Sequence, residues 1–422
     1  MRNRIFCLSL LAGVASVTVA HAQALESTFQ RDKNVSVTQR PRPGYEALGI
    51  HAGSFFVYPK VTADVAHEDN IYFEQTNEQS DTIYSVRPSI EAVSQWSRHQ
   101  LRASAQADIY KYDKFSNEDN STYALNAAGR IDVLRNTLIN IGGGFEHLVE
   151  SRSSPTVQQL ASDPVEYERA YASLGGSREV NRLRVSGELR YSDYSYKDTR
   201  LGVTPVDQSY RDHETTDGQI RVDYAISPAL AVYVFGAAND RKYGNAPLNL
   251  LDVERDSNGW EAAVGADFEI TDLTRGQFQV GYLNQSYDDP RVGDSSGLAL
   301  RSRIEWFPTQ LATVTVTAER IVEDTGVVGA AGTLSSRASA QLDYEVLRNL
   351  IVTGRVNWVK DDYSGVDRKD TYSAAMLGFN YLITRNVGVF GQYNFQTRDS
   401  KGLQRGVEFD ANRIQIGLVL QY

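Results

Sequence analysis

The sequence predicts an all-β protein, a transmembrane up-and-down antiparallel β-barrel of about 18 strands. Three observations point to it. From Ser54 to Tyr422 apolar and polar residues alternate with period two, as in a strand whose successive side chains take opposite faces. Tight-turn signals recur every 36 to 47 residues or so, room for two strands, one tight turn and one longer loop. After residue 22 no apolar run approaches the roughly 18 residues of a membrane helix.

The chain opens on a different pattern. Arg2 and Arg4 precede an apolar stretch from Ile5 to Ala20, and Ala20-His21-Ala22 places small residues where signal peptidase cuts. Residues 1–22 are expected to be a leader removed near Ala22. The single cysteine, Cys7, lies within it, so the mature chain is expected to carry neither disulfides nor thiolate chemistry. Residues 23–53 are polar and turn-rich around Arg40-Pro41-Arg42-Pro43-Gly44. They read as a mostly irregular periplasmic extension, with the barrel expected over 54–422.

The strands follow in order. Leu101, Ala103, Ala105, Ala107 and Ile109 alternate with Arg102, Ser104, Gln106, Asp108 and Tyr110. Leu183, Val185, Leu189 and Tyr191 alternate with Arg184, Ser186, Glu188 and Arg190. Ile414, Ile416, Leu418, Leu420 and Tyr422 close the chain in the same fashion. Short turns are expected at 96–99, 134–136, 180–182, 227–229, 271–273, 308–310, 347–349 and 384–386. Longer polar connections are expected at 152–164, 198–212, 245–255 and 399–407. The strands come to about 13 to 16 residues, more than the 9 to 11 of a tilted membrane strand.

A soluble β-sandwich or β-helix would also alternate. Against that, an even strand count leaves both chain ends on the short-turn side, as in outer-membrane barrels of Gram-negative bacteria. Tyr422 ends the last strand on an aromatic ring, the kind of terminus barrel-assembly machinery recognises. Aromatics also gather at two levels. Tyr224, Phe268, Trp306, Tyr344, Tyr381 and Tyr422 lie by the short turns; Tyr84, Tyr123, Tyr191, Trp260, Tyr282, Trp358, Tyr372 and Tyr393 lie towards the loops. Such belts fit a lipid-facing surface, where the ring is apolar and its tip polar. Closure would leave no exposed strand edge.

The other face would line a lumen, and its charges require a wet or well-paired interior. The mid-strand arginines Arg102, Arg130, Arg184, Arg221, Arg301, Arg303 and Arg355 are the candidate channel-lining residues, drawing anions along the pore. Nearly as many acids share that face, among them Asp64, Glu91, Asp108, Asp132, Asp223, Asp267 and Glu305. A mutually paired wall is therefore the favoured reading of the two. Inward Tyr58, Tyr110 and Tyr112 could stack on sugar rings or simply fill space. The connection at 152–164 follows strand five, where porins fold a loop inward, yet its length is short for that task.

Other chemistries find little support. With 53 acidic against 43 basic residues, no basic stripe is available for nucleic acid. The histidines show no metal-binding spacing, and Gly142-Gly143-Gly144 lacks the Lys-Ser/Thr of a phosphate loop. That run reads as relief of crowding in a strand. The clusters at 67–69 and 288–289 read as solvated rims. No cofactor is implied, and no catalytic set converges, so an enzyme is not expected.

The segment from Arg40 to Val133 resembles the putative β-barrel porin type-2 family of Gram-negative outer membranes. The matching stretches are Arg40–Pro43, Leu48-Gly49-Ile50, Gly53-Ser54-Phe55, Glu68–Tyr72, Ser80-Asp81, Arg87-Pro88-Ser89, Trp96–His99 and Gly129–Val133. Beyond Val133 the likeness is one of pattern. The resemblance implies an outer-membrane barrel whose relatives often accompany exopolysaccharide or capsule export, and it carries no agreed site residues. Two functions follow as expectations. One is an exit for exopolysaccharide, with the N-terminal extension meeting a periplasmic export partner. The other is an uptake porin for small hydrophilic solutes, anionic or sugar-like. An adhesin is less favoured because no loop is long.

Overall fold

The computed structural model describes residues 35–154, 161–245 and 252–422; the expected leader, residues 1–22, lies outside them. Among the described residues, eighteen long strands form the wall. They are β1 (Phe55–Glu68), β2 (Asp81–Ser94), β3 (Gln100–Tyr112), β4 (Asn120–Leu134), β5 (Thr137–Val149) and β6 (Glu166–Val180). Next come β7 (Leu183–Tyr196), β8 (His213–Ser227), β9 (Leu230–Tyr243), β10 (Ser257–Thr271), β11 (Thr274–Tyr287) and β12 (Ser295–Thr309). The last six are β13 (Ala312–Glu323), β14 (Gly332–Leu347), β15 (Leu350–Ser364), β16 (Lys369–Leu382), β17 (Val387–Lys401) and β18 (Phe409–Gln421). Each pairs antiparallel with its neighbours in sequence, and β1 closes the sheet on β18 from Lys60↔Gln421 to Glu68↔Arg413.

The registers set the dimensions. Following partners once around the wall returns to β1 displaced by about 22 residues. With strands ~4.8 Å apart and rising ~3.3 Å per residue, that stagger tilts them by roughly 40°. The same quantities give a backbone cylinder roughly 35 Å across. A wall of that girth leaves an interior too wide for its own side chains to fill.

Period two then sorts the residues, and burial runs opposite to that of a soluble core. Outward-facing Ile416 and Val264 are 61% and 56% exposed, whereas inward-facing Arg221 and Asp223 are each 2% exposed. Outward aromatics occupy both expected levels, with Tyr224, Trp306, Tyr344, Tyr381 and Tyr422 by the short turns and Tyr84, Tyr191, Trp260, Trp358 and Tyr393 by the loops. Tyr372 is a correction. It faces inward, packed on the Phe73–Phe409 cluster and bonded to Gln396, because the register of β16 sets it on the same face as Met376 and Asp370.

The two ends differ. At one end β2 and β3 join through five residues, β16 and β17 through four, and the remaining pairs through two. The opposite end carries the longer connections, including a short hairpin (Thr199–Leu201 with Thr204–Val206) and a turn of 3-10 helix at Ser209–Arg211. Residues 35–52 sit at the short-turn end. Ile50–Ala52 pairs with the start of β1, Gly49 lies under the Tyr58 ring, and Val37 is wholly buried. The Val37 amide donates to Thr313 Oγ1 on β13 at 3.0 Å, and Arg40 and Arg42 flank Glu345 of β14 at 3.4 and 3.6 Å. This segment therefore straps the inner lip of the barrel from β13–β14 round to β1.

Candidate functional site in the lumen

Strand periodicity gives the lumen wall a charge pattern. Residues i and i+2 share a face and stand about 7 Å apart, within reach of an arginine and a carboxylate. The wall uses this spacing repeatedly: Arg130 with Asp132 (3.2 Å), Glu188 with Arg190 (3.2 Å), Arg221 with Asp223 (2.6 Å) and Arg303 with Glu305 (2.9 Å). Cross-strand pairs complete it. Arg102 meets Glu91 at 3.0 Å, Arg301 meets Glu319 at 3.5 Å, and Arg275 meets Glu305 at 2.7 Å.

All seven candidate arginines lie on the inward face, spread around it in separate groups. Arg102 and Arg130 neighbour one another on β3 and β4, while Arg301 and Arg303 share β12. Arg184 and Arg221 belong to one buried cluster, Arg184 standing opposite Asp223 in register and Arg221 bonded to both Asp223 and Asp267. The Tyr233 ring covers that guanidinium at 3.5 Å. Arg355 stands apart and donates to Gln341 Oε1 at 2.8 Å. A guanidinium beside a carboxylate presents little net field to a passing ion, so pairing mutes the attraction that the arginines alone would exert.

The outer mouth is lined differently, with side chains that periodicity does not forecast. Tyr194, His213 and Tyr243 stand directly opposite one another on β7, β8 and β9 and stack at 4.4 and 4.8 Å. Tyr167 and Tyr196 stack likewise at 5.1 Å. These rings spend their faces on each other, which removes them as platforms for sugar. Among the described residues no ring stacks on Tyr110 or Tyr112. Gly144 shows why the 142–144 run is glycine: the Tyr171 ring and Asn126 occupy the space a Cβ would fill.

Loops fold inward over this mouth. The connection after β5 does so despite its length: Arg152 forms a fork with Glu118 at 2.7 and 3.0 Å and donates to the Ala161 carbonyl. The next residue's carbonyl, Ser153 O, accepts from Arg398 on β17 at 3.3 Å, nearly across the barrel. From the other side Asp324, just past β13, reaches His213 at 3.3 Å and Arg241 at 2.9 Å. Burial pushes the Asp324 carboxyl up, but the Arg241 guanidinium and the His213 ring outweigh it and hold the group below the usual carboxylate range. Beyond it, Gly329 N donates to Asp252 Oδ1 at 3.0 Å and Arg255 to the Ala330 carbonyl at 3.3 Å. Two acids expected on solvated rims are instead paired: Glu68 is buried against Arg413, and Asp289 is held by Arg291, whose hydrogen bonds lower its carboxyl.

An apolar outer band, two aromatic belts and a charged, paired interior in one closed sheet match the family comparison. A family model described as "Putative beta-barrel porin 2" matches residues 42–422. The chain belongs to this family. The match runs far past Val133, where the motif likeness gave way to pattern, so the chain is an outer-membrane β-barrel of porin type. No curated protein matches the chain. Among solved structures it is similar to OccAB3 of Acinetobacter baumannii, at 11% identity and a TM-score of 0.46, covering 88% of this chain and 100% of that one. It is also similar to OccK2 (OpdF) of Pseudomonas aeruginosa in complex with glucuronate, at 11% identity and 0.45, covering 86% and 98%. The FrpB iron transporter from Neisseria meningitidis matches at 8% identity and 0.46, covering 89% and 82%. At such scores, cargo must be argued from this chain's own residues.

Proposed function

We propose that this porin-family barrel is a passive channel for hydrophilic, mostly uncharged solutes, carbohydrate foremost. The paired lumen wall carries the proposal. It stays wet because every strand contributes charge, yet its arginines and carboxylates neutralise one another locally. The test is single-channel recording of the refolded chain in a planar bilayer. Steady ohmic current with weak ion selectivity is expected; strong anion selectivity would return the seven arginines to the leading role.

A second reading is the outer-membrane exit for an exopolysaccharide. It is supported by the unstacked inward rings of Tyr110 and Tyr112 and by the strap at 35–52, which lies where a periplasmic export partner would meet the barrel. Oligosaccharides of increasing length separate the two readings. Current block that deepens with length supports a polymer path, whereas block by short sugars alone supports uptake. In either case the outward face is suited to outer-membrane lipid. A leader cleaved near Ala22 would bring the chain there, and β18 with Tyr422 would engage the assembly machinery. Tyr422 N donates to Pro59 O at 3.1 Å, so the chain end also helps close the wall.

A further inference from the structure

The ladder between β12 and β13 stops short. Its last rung is Leu300↔Arg320, although β12 stays paired to β11 as far as Ser295↔Gln285 and β13 to β14 as far as Glu323↔Thr333. The next hydrogen-bonded rung would join Leu298 to Val322, as backbone bonds on either side establish. Phe307 N of β12 donates to Leu273 O beside β11, and Glu345 N of β14 donates to Leu311 O beside β13. Alternation along these unbroken registers aims the amide and carbonyl of Leu298 at β13, and those of Val322 at β12. One of the four groups is satisfied from inside the barrel. Arg241 of β9 donates to the Val322 carbonyl at 3.2 Å and binds Asp324 at 2.9 Å. Two N–H donors and one carbonyl are left without a ladder partner, so the notch favours an anion.

Arg320 stands at the foot of this notch, on the outward face with Val316, Ser336 and Lys360. Its guanidinium bends across the gap, with Nη2 3.8 Å from where a Cβ on Gly297 would stand. Its Nε is sealed and has no hydrogen-bond partner, and among the described residues it forms no ion pair. Inward arginines such as Arg130, Arg221 and Arg303 each hold a carboxylate; this outward one holds none. The stagger of the wall fixes its depth. The outer aromatic belt runs from Tyr282 on β11 to Trp358 on β15, and the registers between them carry it through Arg320 on β13. That is the level of headgroups, where an arginine facing lipid is tolerated. Lys360 stands roughly 10 Å along the same row, two strands away. It is partly exposed, and it shares the Asp362 carboxylate with Lys369 at 4.0 and 3.1 Å. The outward rim of β6 to β9 carries acids beyond the belt instead, among them Glu168, Asp193, Glu214 and Asp240.

We infer that the notch between β12 and β13, with Arg320 at its foot and Lys360 beside it, binds the phosphorylated headgroup of a glycolipid in the outer leaflet. The phosphate accepts from the Arg320 guanidinium and from the amides of Leu298 and Val322, in charge-assisted bonds. Lys360 meets a second anionic group on the same headgroup. Arg241 never touches the lipid; it acts from the lumen, taking the Val322 carbonyl and so keeping the rung open. The site needs a barrel in the outer membrane and is independent of what crosses the lumen.

Native mass spectrometry of the refolded full chain, titrated with diphosphorylated lipid A, monophosphorylated lipid A or phosphatidylcholine, tests this. The diphosphorylated lipid should be retained most strongly, the monophosphorylated form several-fold less, and phosphatidylcholine should be lost. Arg320→Gln should weaken retention about tenfold and Lys360→Gln by less, with resistance to urea unchanged in both. Leu298→Cys with Val322→Cys, in a Cys7→Ser background, closes the notch on oxidation while leaving Arg320 in place. Retention should then fall on oxidation and return on reduction. Wild-type retention in Arg320→Gln, equal retention of phosphatidylcholine, or retention indifferent to the disulfide overturns the site.

Discussion

The outward and inward faces of these strands are built from the same backbone and solve opposite problems. On the outer face of β18, Ile414, Ile416, Leu418 and Leu420 are all substantially exposed. On the inner face of β8 to β10, Arg221, Asp223 and Asp267 are almost sealed by each other and by Tyr233. The difference teaches that burial in this molecule does not follow hydropathy. Outer residues are chosen for the solvent they meet, whereas inner ones are chosen for the partner they meet. An error outside is a solvation cost spread over the bilayer, while an error inside leaves a particular charge without its mate.

The largest effect is expected where pairing is densest. Arg221→Ala removes the guanidinium that bridges Asp223 and Asp267 in a buried site, leaving Arg184 beside them, and should cost about 3–5 kcal/mol in a urea titration of the folded barrel. Adding Asp223→Asn and Asp267→Asn should recover most of it; a single variant as stable as wild type would mean that the cluster is solvated. Next comes the outer face. Ile416→Arg, at the middle of β18, should cost about 2–4 kcal/mol in the same titration. A negligible cost would indicate that this face does not meet hydrocarbon.

Smaller again is the strap. Glu345→Gln removes the carboxylate shared by Arg40 and Arg42 and should weaken docking by about 1–2 kcal/mol. Faster proteolysis near Tyr45 and a larger conductance, with unchanged barrel stability, are the expected readouts. The smallest effect concerns Arg303, more than half open, and the partly open Arg102 and Arg301. Arg303→Ser, alone or with Arg102→Ser and Arg301→Ser, should change stability by less than about 0.5 kcal/mol per site. Glu305 retains Arg275, so reversal potentials in a salt gradient should drift towards cations by a modest amount. A large swing would show that these arginines set selectivity after all.

Much of the wall was legible in the residues. Alternation placed the strands, and Leu134-Arg135-Asn136 or Thr271-Asp272-Leu273 placed the turns, because both signals are local. The inward arginines were legible for the same reason. Their pairing was written at i,i+2 as well, in Arg130 with Asp132 and Arg303 with Glu305, a spacing that adds to the near balance of acids and bases by which the sequence already favours a paired wall over an anion path. The outer mouth was not legible. Arg152 and Glu118 are 34 residues apart, and Asp324 and His213 more than a hundred. Their loops carry no period, so nothing local says which loop turns inward. Tyr372 failed for a related reason: an aromatic near a strand end reads the same on either face until the register is known.

By itself the sequence determined that this chain is a closed, lipid-facing barrel of about eighteen strands with a charged interior. Period two, turn spacing and aromatic placement act within a hairpin and need no distant information. Only the tertiary structure decided the stagger of the wall, the mates of its charges, the strap on the inner lip and the loops folded over the outer mouth. Each depends on which residues closure brings together across roughly 35 Å of cylinder, and contacts of that kind leave no periodic trace along the chain.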